Sequence, residues 1–193
     1  MRILVTGAAS SGKSAWAESR VLGLSRPRYY VATMSPGGGE AAARIERHRL
    51  LREGKGFETV ELFPVGTHMP DVPALLGARG VRGGTALVED LGNLLANRLF
   101  MPDGTEVADE LALARCEADL AAVCDRCEDV VFVGDEVGAD GCVAAEGQTD
   151  ATSGYVRLLG ALACRVAQSC DEVVEVVSSV PNYVKGGPTH DCA

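Results

Sequence analysis

The residues with the clearest capacity for chemistry lie close to the amino terminus. They follow the pattern G-x-x-x-x-G-K-[ST], which is matched at each fixed position by Gly7, Ala8, Ala9, Ser10, Ser11, Gly12, Lys13 and Ser14. In such a loop the glycines let successive N–H groups turn toward a phosphate, the lysine reaches the β- and γ-phosphates, and the serine hydroxyl ligates Mg²⁺. We therefore predict a nucleotide-phosphate site, with Lys13 as a catalytic cation and Ser14 as a metal ligand.

A carboxylate at the end of a second apolar strand would complete such a site. The run that begins at Thr85 ends in Glu89 and Asp90, and an acid in this position can hold the magnesium shell of a bound nucleotide. Strand alternation favours Glu89 but does not exclude Asp90. A cap for the helix that begins at Leu91 is the alternative role for an acid here.

One histidine has a neighbourhood suited to phosphate chemistry. Arg44, His48 and Arg52 are spaced at i, i+4 and i+8 in a helical pattern, which places the imidazole between two guanidiniums on one face. Nearby positive charge lowers a histidine pKa and keeps a neutral, nucleophilic nitrogen, while arginines can hold phosphate oxygens. The pattern fits nucleophilic attack on a nucleoside phosphate by His48. A solvated helix face with a passive histidine fits it as well.

The rest of the sequence predicts the elements that position these groups. Short apolar runs predict strands at Ile3–Thr6, Tyr29–Thr33, Phe57–Leu62, Thr85–Glu89, Val130–Gly134 and Glu172–Ser178. Longer periodic patterns predict helices at Lys13–Leu22, Glu40–Arg52, Leu91–Phe100, Glu106–Cys127 and Ser153–Ser169. This alternation predicts one α/β domain over residues 1–185, a P-loop NTPase (RecA-like) three-layer fold with a mainly parallel central sheet. We expect residues 186–193 to form a disordered tail.

Composition argues against several classes of protein. The chain has 27 acidic and 18 basic side chains and a net charge of −9, so we expect no nucleic-acid partner. No apolar stretch approaches the length of a membrane span, and the residues before Gly7 are too few for a signal peptide, which together favour the cytoplasm. We interpret the pair Cys124 and Cys127 as bystanders, not as a redox or zinc site.

Several segments, taken in order, resemble the bifunctional adenosylcobinamide kinase/adenosylcobinamide-phosphate guanylyltransferase family of cobalamin biosynthesis. The resemblance runs from Met1 to about Lys185 and is carried by the opening strand and P-loop (3–14), Tyr30–Thr33, Glu40–Arg49, Phe57–Glu61, Val88-Glu89 with Asn97, and Glu136-Val137-Gly138. The P-loop alone is generic. The run Ala-Arg-Ile-x-x-His-Arg, placed between the P-loop and Thr-Val-Glu, is much more specific.

The resemblance implies an activity and a set of site residues. The family phosphorylates the aminopropanol hydroxyl of adenosylcobinamide with ATP or GTP, then transfers GMP from GTP to that phosphate. His48 matches the histidine that becomes guanylylated, and the nucleotide-contacting positions fall at or beside Gly7–Ser14, Thr33, Ser35, Arg49, Arg52, Glu61 and Glu89. Arg44 or Arg52 would neutralise phosphate oxygens. The resemblance also implies Mg²⁺ and a homotrimer in which neighbouring subunits complete the site.

The chain departs from the family pattern mainly in its second half. Asp135 replaces an asparagine, residues 139–154 lack a Gly-x-x-Pro, and Ala163-Cys164 stand in place of an Asn-Gln pair. Two alternative functions therefore stay open. One is a P-loop kinase that has lost guanylylation, and the other is a nucleotide-dependent switch or interaction protein.

Overall fold

A computed structural model describes residues 1–35, 45–46, 49–50, 52–64, 67, 69–136 and 150–187. Within these residues the strands are β1 (Arg2–Gly7), β2 (Arg28–Ala32), β3 (Phe57–Glu61), β4 (Thr85–Glu89), β5 (Asp129–Asp135), β6 (Glu172–Val177) and β7 (Val180–Lys185). The helices are α1 (Lys13–Leu22), α2 (Val72–Ala78), α3 (Leu91–Leu99), α4 (Asp109–Cys124) and α5 (Asp150–Ser169). None of the helices within the described residues has the length and apolar character needed to cross a membrane.

The seven strands form one sheet in the order β3-β2-β4-β5-β1-β6-β7. Every neighbouring pair is parallel except β6 and β7, which form an antiparallel hairpin at one edge. The strand that leads into the phosphate loop, β1, is therefore central, and β5 separates it from β4. This arrangement confirms the predicted α/β, mainly parallel RecA-like fold.

Helices cover both faces of the sheet and make three layers. Ala17 and Val21 of α1 pack on one face, over apolar side chains from strands that include β1, β5 and β6. The other four helices pack on the opposite face, where a larger cluster of buried side chains includes Phe132, Leu94 and Leu162. Because both faces are covered, strands such as β5 are continuous apolar runs, as parallel strands in α/β proteins are.

Two elements were not predicted from sequence, and both contain a proline. Helix α2 is short and has Pro73 in its first turn, where a missing N–H costs nothing, and the Asp71 side chain accepts a hydrogen bond from the N–H of Ala74 as its N-cap. Strand β7 contains Pro181, which an edge strand tolerates because its outer side has no partner strand. Proline in a short run argues against either element when the sequence is considered alone.

Element boundaries differ from the predictions by a few residues. Helix α5 begins at Asp150, three residues before the predicted start, and α4 spans Asp109–Cys124 instead of Glu106–Cys127. Most of the predicted helix Glu40–Arg52 lies outside the described residues, although residues 45–46, 49–50 and 52 are helical. Of the predicted tail, residues 188–193 lie outside the described residues as well.

Candidate active site

The phosphate loop has the backbone geometry that its sequence predicts. Strand β1 ends at Gly7 and helix α1 begins at Lys13, with Gly12 as the N-cap residue in a left-handed conformation (φ 92°). A Cβ atom at Gly7 would lie 2.5 Å from the Val176 carbonyl oxygen, and one at Gly12 would lie 2.6 Å from Ser179 Oγ. Both positions therefore require glycine, because any side chain would collide with the β6–β7 hairpin.

The amino terminus of α1 is suited to binding an anion. Gly12 gives no side-chain cap, and the first turn of α1 contains no acidic residue. The first N–H groups of a helix have no partner within the helix and carry the positive end of its dipole. A phosphate bound in the loop would satisfy these N–H groups.

Lys13 is buried at the start of this helix. Its Nζ lies 2.7 Å from Asp135 Oδ1 at the end of β5 and donates a hydrogen bond to the Ala8 carbonyl oxygen at 3.2 Å. Asp135 is adjacent to the loop because its backbone pairs with Gly7 across the parallel β1–β5 ladder. The lysine predicted to hold phosphates is thus paired with a carboxylate in this structure.

The two acids at the end of β4 have different environments. The Asp90 carboxylate caps α3, accepting hydrogen bonds from the N–H of Asn93 at 2.6 Å and from Asn93 Nδ2 at 2.8 Å. Glu89 is also buried, but its Oε2 atom has no hydrogen-bond partner among the residues that the structure describes. Glu89 shares a face with Leu87, which packs beneath α1. The geometry therefore assigns the cap to Asp90 and leaves Glu89 as the acid available to a cation.

A cavity of about 380 Å³ lies on the same face, over the carboxyl ends of β2, β3 and β4. Its floor is formed by strand side chains that all point to the α1 side: Tyr30, Ala32, Thr59, Glu61 and Glu89. Ile45, Glu46, Arg49 and Arg52 line it from the helical segment that follows β2. The cavity contains both acidic and basic groups, which suits a polar, charged ligand.

Arg52 and Tyr30 meet in the wall of this cavity. The Arg52 guanidinium carbon lies 3.2 Å from the centre of the Tyr30 ring. Arg52 Nη1 is buried and, within the described part of the chain, has no hydrogen-bond partner. The Tyr30 hydroxyl is hydrogen-bonded to Glu89; burial, followed by the charge of Glu89, raises the pKa of Tyr30, so the phenol stays protonated. Unpaired buried groups such as Arg52 Nη1 and Glu89 Oε2 are costly in a folded protein. A ligand in the cavity would satisfy both.

The other predicted site residues fall in different places. Arg49 and Glu61 line the cavity, whereas Thr33 is fully buried and donates its hydroxyl to the Asp90 carbonyl oxygen at 2.8 Å. Thr33 thus fixes the ends of β2 and β4 relative to each other. Ser35 is half-buried just beyond β2. His48 and Arg44, the predicted nucleophile and its neighbour, lie outside the described residues.

Sequence reasoning did not select Tyr30, Asn93 or Asp135 as site residues. Tyr30 lies in an apolar run and has no local signal that distinguishes it from a core residue. Asn93 is one turn into α3, and Asp135 is one of several acids that follow apolar strands. Only the register between strands, which brings Asp135 beside Gly7, shows that this acid belongs to the site.

The C-x-x-C pair lies away from the loop and the cavity. Cys127 is buried in the larger core cluster, and burial raises its pKa to about 11. Burial also raises the pKa of Cys124 above its ordinary value. A thiol with a raised pKa is protonated at neutral pH and is a poor nucleophile.

The fold and the loop define the class of the protein as a P-loop nucleotide-binding protein. The family model for cobinamide kinase / cobinamide phosphate guanyltransferase (CobU) matches residues 3–184. The chain therefore belongs to this family and is a transferase.

Curated relatives match along almost the whole chain. The bifunctional adenosylcobalamin biosynthesis protein CobU of Escherichia coli is 33% identical over 193 residues, covering 96% of this chain and 100% of the relative. The corresponding CobP of Pseudomonas aeruginosa is 30% identical over 189 residues, covering 97% and 99%. Among solved structures, the flagellar accessory protein FlaH of Methanocaldococcus jannaschii aligns with 96% of this chain and 78% of its own at a TM-score of 0.40 and 12% identity.

Proposed function

We propose that the protein phosphorylates adenosylcobinamide with ATP or GTP and then transfers GMP from GTP to the product, giving adenosylcobinamide-GDP and pyrophosphate. The observation that supports this most is the pairing of a complete phosphate loop with a charged cavity on one face of the sheet, in a chain that matches the family from residue 3 to residue 184. The named relatives are bifunctional adenosylcobalamin biosynthesis proteins.

In the phosphorylation step, the hydroxyl oxygen of the acceptor bonds to the γ-phosphorus while the bond from that phosphorus to the β-bridging oxygen breaks. The nucleoside diphosphate leaves, and the hydroxyl proton is released to water. Lys13 and the N–H groups at the start of α1 stabilise the charge that develops on the γ-phosphoryl oxygens. Ser14 and Glu89 would hold Mg²⁺, which neutralises phosphate charge when it is bound. The unpartnered, buried Glu89 Oε2 fits this assignment, because a carboxylate oxygen is the ligand that Mg²⁺ prefers.

In the guanylyl step, a nitrogen of His48 bonds to the α-phosphorus of GTP and pyrophosphate leaves. A phosphate oxygen of adenosylcobinamide phosphate then bonds to that phosphorus and the phosphorus–nitrogen bond breaks. Arg44 or Arg52 would neutralise the non-bridging oxygens. Arg49 and Arg52, close to His48 in sequence, line the cavity, which supports binding of the nucleotide there.

The decisive experiment uses GTP labelled at either the α- or the γ-phosphate. We expect an acid-labile protein adduct from the α-label, transfer of that label to product when adenosylcobinamide phosphate is added, and transfer of the γ-label to adenosylcobinamide. The variant His48→Ala should lose the adduct and keep the kinase activity, and His190→Ala is the matched control that should retain both. Adduct formation by His48→Ala would contradict the covalent step.

The same experiment tests the two alternative functions. Transfer of the γ-label without any α-label adduct would identify a kinase that has lost guanylylation. Nucleotide binding with slow hydrolysis and no turnover on adding cobinamide would identify a switch or interaction protein. Either outcome would replace the bifunctional proposal.

The assembly and location of the protein are also proposals. We propose a homo-oligomer, a trimer by family resemblance, because β7 is an edge strand that exposes Val180 and Val184. Analytical ultracentrifugation would give the stoichiometry, and a monomer at assay concentration would contradict it. We place the enzyme in the cytoplasm, where ATP and GTP are available, and cell fractionation tests this.

A further inference from the structure

Asp135 is held beside the phosphate loop by the backbone. It is the last residue of β5 and pairs with Gly7, and the next N–H, that of Glu136, donates to the Gly7 carbonyl oxygen at 3.1 Å. Val131 and Val133 point to the face beneath α1. Since side chains alternate along a strand, Asp135 points to the same face, which is also the face of Glu89.

The Asp135 carboxylate contacts the cation that a phosphate would need. Lys13 Nζ lies 2.7 Å from Asp135 Oδ1, with the lysine side chain 10% and the aspartate side chain 38% exposed. Among the residues that the structure describes, Lys13 is the cation within ion-pair distance of Asp135. The charge of the phosphate-loop lysine is therefore already compensated before any nucleotide binds.

The charges of Asp135 and Asp90 both act on Tyr155. Burial, then the charges of Asp90 and Asp135, raise the pKa of Tyr155 to about 12, and the Tyr155 hydroxyl donates to the Gly92 carbonyl oxygen at 2.9 Å. Tyr155 is thus a neutral group in this environment. When Lys13 turns from Asp135 to a phosphate oxygen, the Asp135 carboxylate loses its ion-pair partner.

A bound triphosphate would repel the Asp135 carboxylate unless it carries a cation. A free triphosphate has about two more negative charges than its complex with Mg²⁺, since a divalent cation compensates two charges. Repulsion by Asp135 therefore weakens binding of the metal complex less than binding of the free triphosphate. The carboxylate is also an oxygen donor of the kind that Mg²⁺ prefers. A carboxylate at this position lowers the affinity for anions that carry no metal ion.

We propose that Asp135 is a specificity-determining residue of the phosphate loop: by competing for Lys13, it makes binding of a nucleoside triphosphate depend on a divalent cation. This inference rests on the proposed function, because it assumes that the loop binds a triphosphate. It goes beyond that function by assigning the selection of the metal-bound form to one carboxylate.

Binding of the β,γ-imido analogue of ATP, measured by isothermal titration calorimetry with Mg²⁺ and with EDTA, tests the proposal. In Asp135→Asn, where the carboxylate is replaced by a neutral isostere, we expect metal-free affinity to rise about tenfold, equivalent to about 1.4 kcal/mol. Affinity with Mg²⁺ should change by less than about threefold, a difference below 0.7 kcal/mol on the same scale. Asp125→Asn removes the same charge from an exposed site after α4 and is the matched control. It should change neither the affinity with Mg²⁺ nor the metal-free affinity.

Three results would overturn the proposal. These are an unchanged metal-free affinity in Asp135→Asn, an equal rise of both affinities in Asp135→Asn, and the same gain in Asp125→Asn. In each of these cases the wild-type protein still binds the analogue, so the proposed function survives. Absence of binding to the wild-type protein and the variant under both conditions would contradict the proposed function together with this inference.

Discussion

The two faces of the sheet are covered to different extents and by different kinds of side chain. On the face of α2 to α5, buried apolar residues extend from β3 to β6. On the other face, α1 covers the centre, but the ends of β2 and β3 lie under a cavity lined by Glu61, Glu89 and Arg52. The comparison indicates a division between a face that stabilises the fold and a face that carries unpaired charge for a ligand.

The face of α2 to α5, called here the closed face, also contains buried charge, but among the described residues Arg98 and Asp119 form an ion pair there. Arg98 Nε lies 2.6 Å from Asp119 Oδ2 and Arg98 Nη2 lies 2.7 Å from Oδ1, and both residues are buried. Glu89 and Arg52 lie on the face of α1 and the cavity, called here the open face. Each has a buried atom that lacks a hydrogen-bond partner among the described residues. The difference allows four predictions that test the contrast between the two faces.

The largest effect on stability is expected from the closed face. Arg98→Met leaves the Asp119 carboxylate buried without its partner, and we expect the free energy of unfolding to fall by about 3–5 kcal/mol. Urea denaturation measures this change. Arg82→Met, at an exposed position, is the control and should stay within about 0.5 kcal/mol of wild type. A small loss in Arg98→Met would show that the two faces do not differ in this way.

The largest effect on catalysis is expected from the open face. Lys13→Met removes the cation of the phosphate loop, and we expect kcat for phosphoryl transfer to fall about 10²- to 10³-fold, the loss typical of one charge-stabilising donor. The free energy of unfolding should change far less than in Arg98→Met, because the Asp135 partner is 38% exposed. Equal kcat in wild type and variant would remove Lys13 from the mechanism.

Glu89→Gln should separate binding from stability. A neutral amide keeps an acceptor for the Tyr30 hydroxyl and removes a buried negative charge. We therefore expect the free energy of unfolding to rise by about 1 kcal/mol. The concentration of Mg²⁺ needed for nucleotide binding should rise about tenfold. Mg²⁺ titrations and thermal melts provide the two measurements. Glu61→Gln, at an exposed residue that lines the same cavity, is the control. An equal rise in this variant would argue against Glu89 as the magnesium-shell acid.

The smallest effect is expected in the hairpin turn beside the loop. Ser178 and Ser179 have φ values of 49° and 67°, a left-handed conformation that costs a non-glycine residue about 1–2 kcal/mol. Allowing for the greater freedom of glycine in the unfolded chain, Ser179→Gly should stabilise the protein by about 0.5–1 kcal/mol. Ser153→Gly, in the helix α5, should instead destabilise the protein. Destabilisation by Ser179→Gly would show that its hydroxyl contributes more than the strain costs.

The phosphate loop, the strand that precedes it and the helix that follows could be predicted from sequence because the information is local. Gly7, Gly12 and Lys13 are fixed by the requirements of one turn of backbone. The same is true of the Asp90 cap, which was one of two roles open to that residue. Local pattern also gave six of the seven strands that the structure describes, with boundaries shifted by a residue or two.

The cavity and the Lys13–Asp135 pair could not be predicted because they depend on strand order. Tyr30, Glu61 and Glu89 become neighbours only because β2 lies between β3 and β4. Asp135 reaches Lys13 only because β5 is beside β1. Nothing in the local sequence of either strand states which strand will be its neighbour.

The contact between the hairpin turn and the phosphate loop has a consequence for synthesis of the protein. The Ser179 N–H donates to the Ser11 carbonyl oxygen at 2.7 Å, and β1 is flanked on that side by β6. The phosphate loop is thus completed by a segment that lies far later in the sequence. During synthesis the loop therefore gains this contact only after the β6–β7 hairpin has been made and has paired with β1.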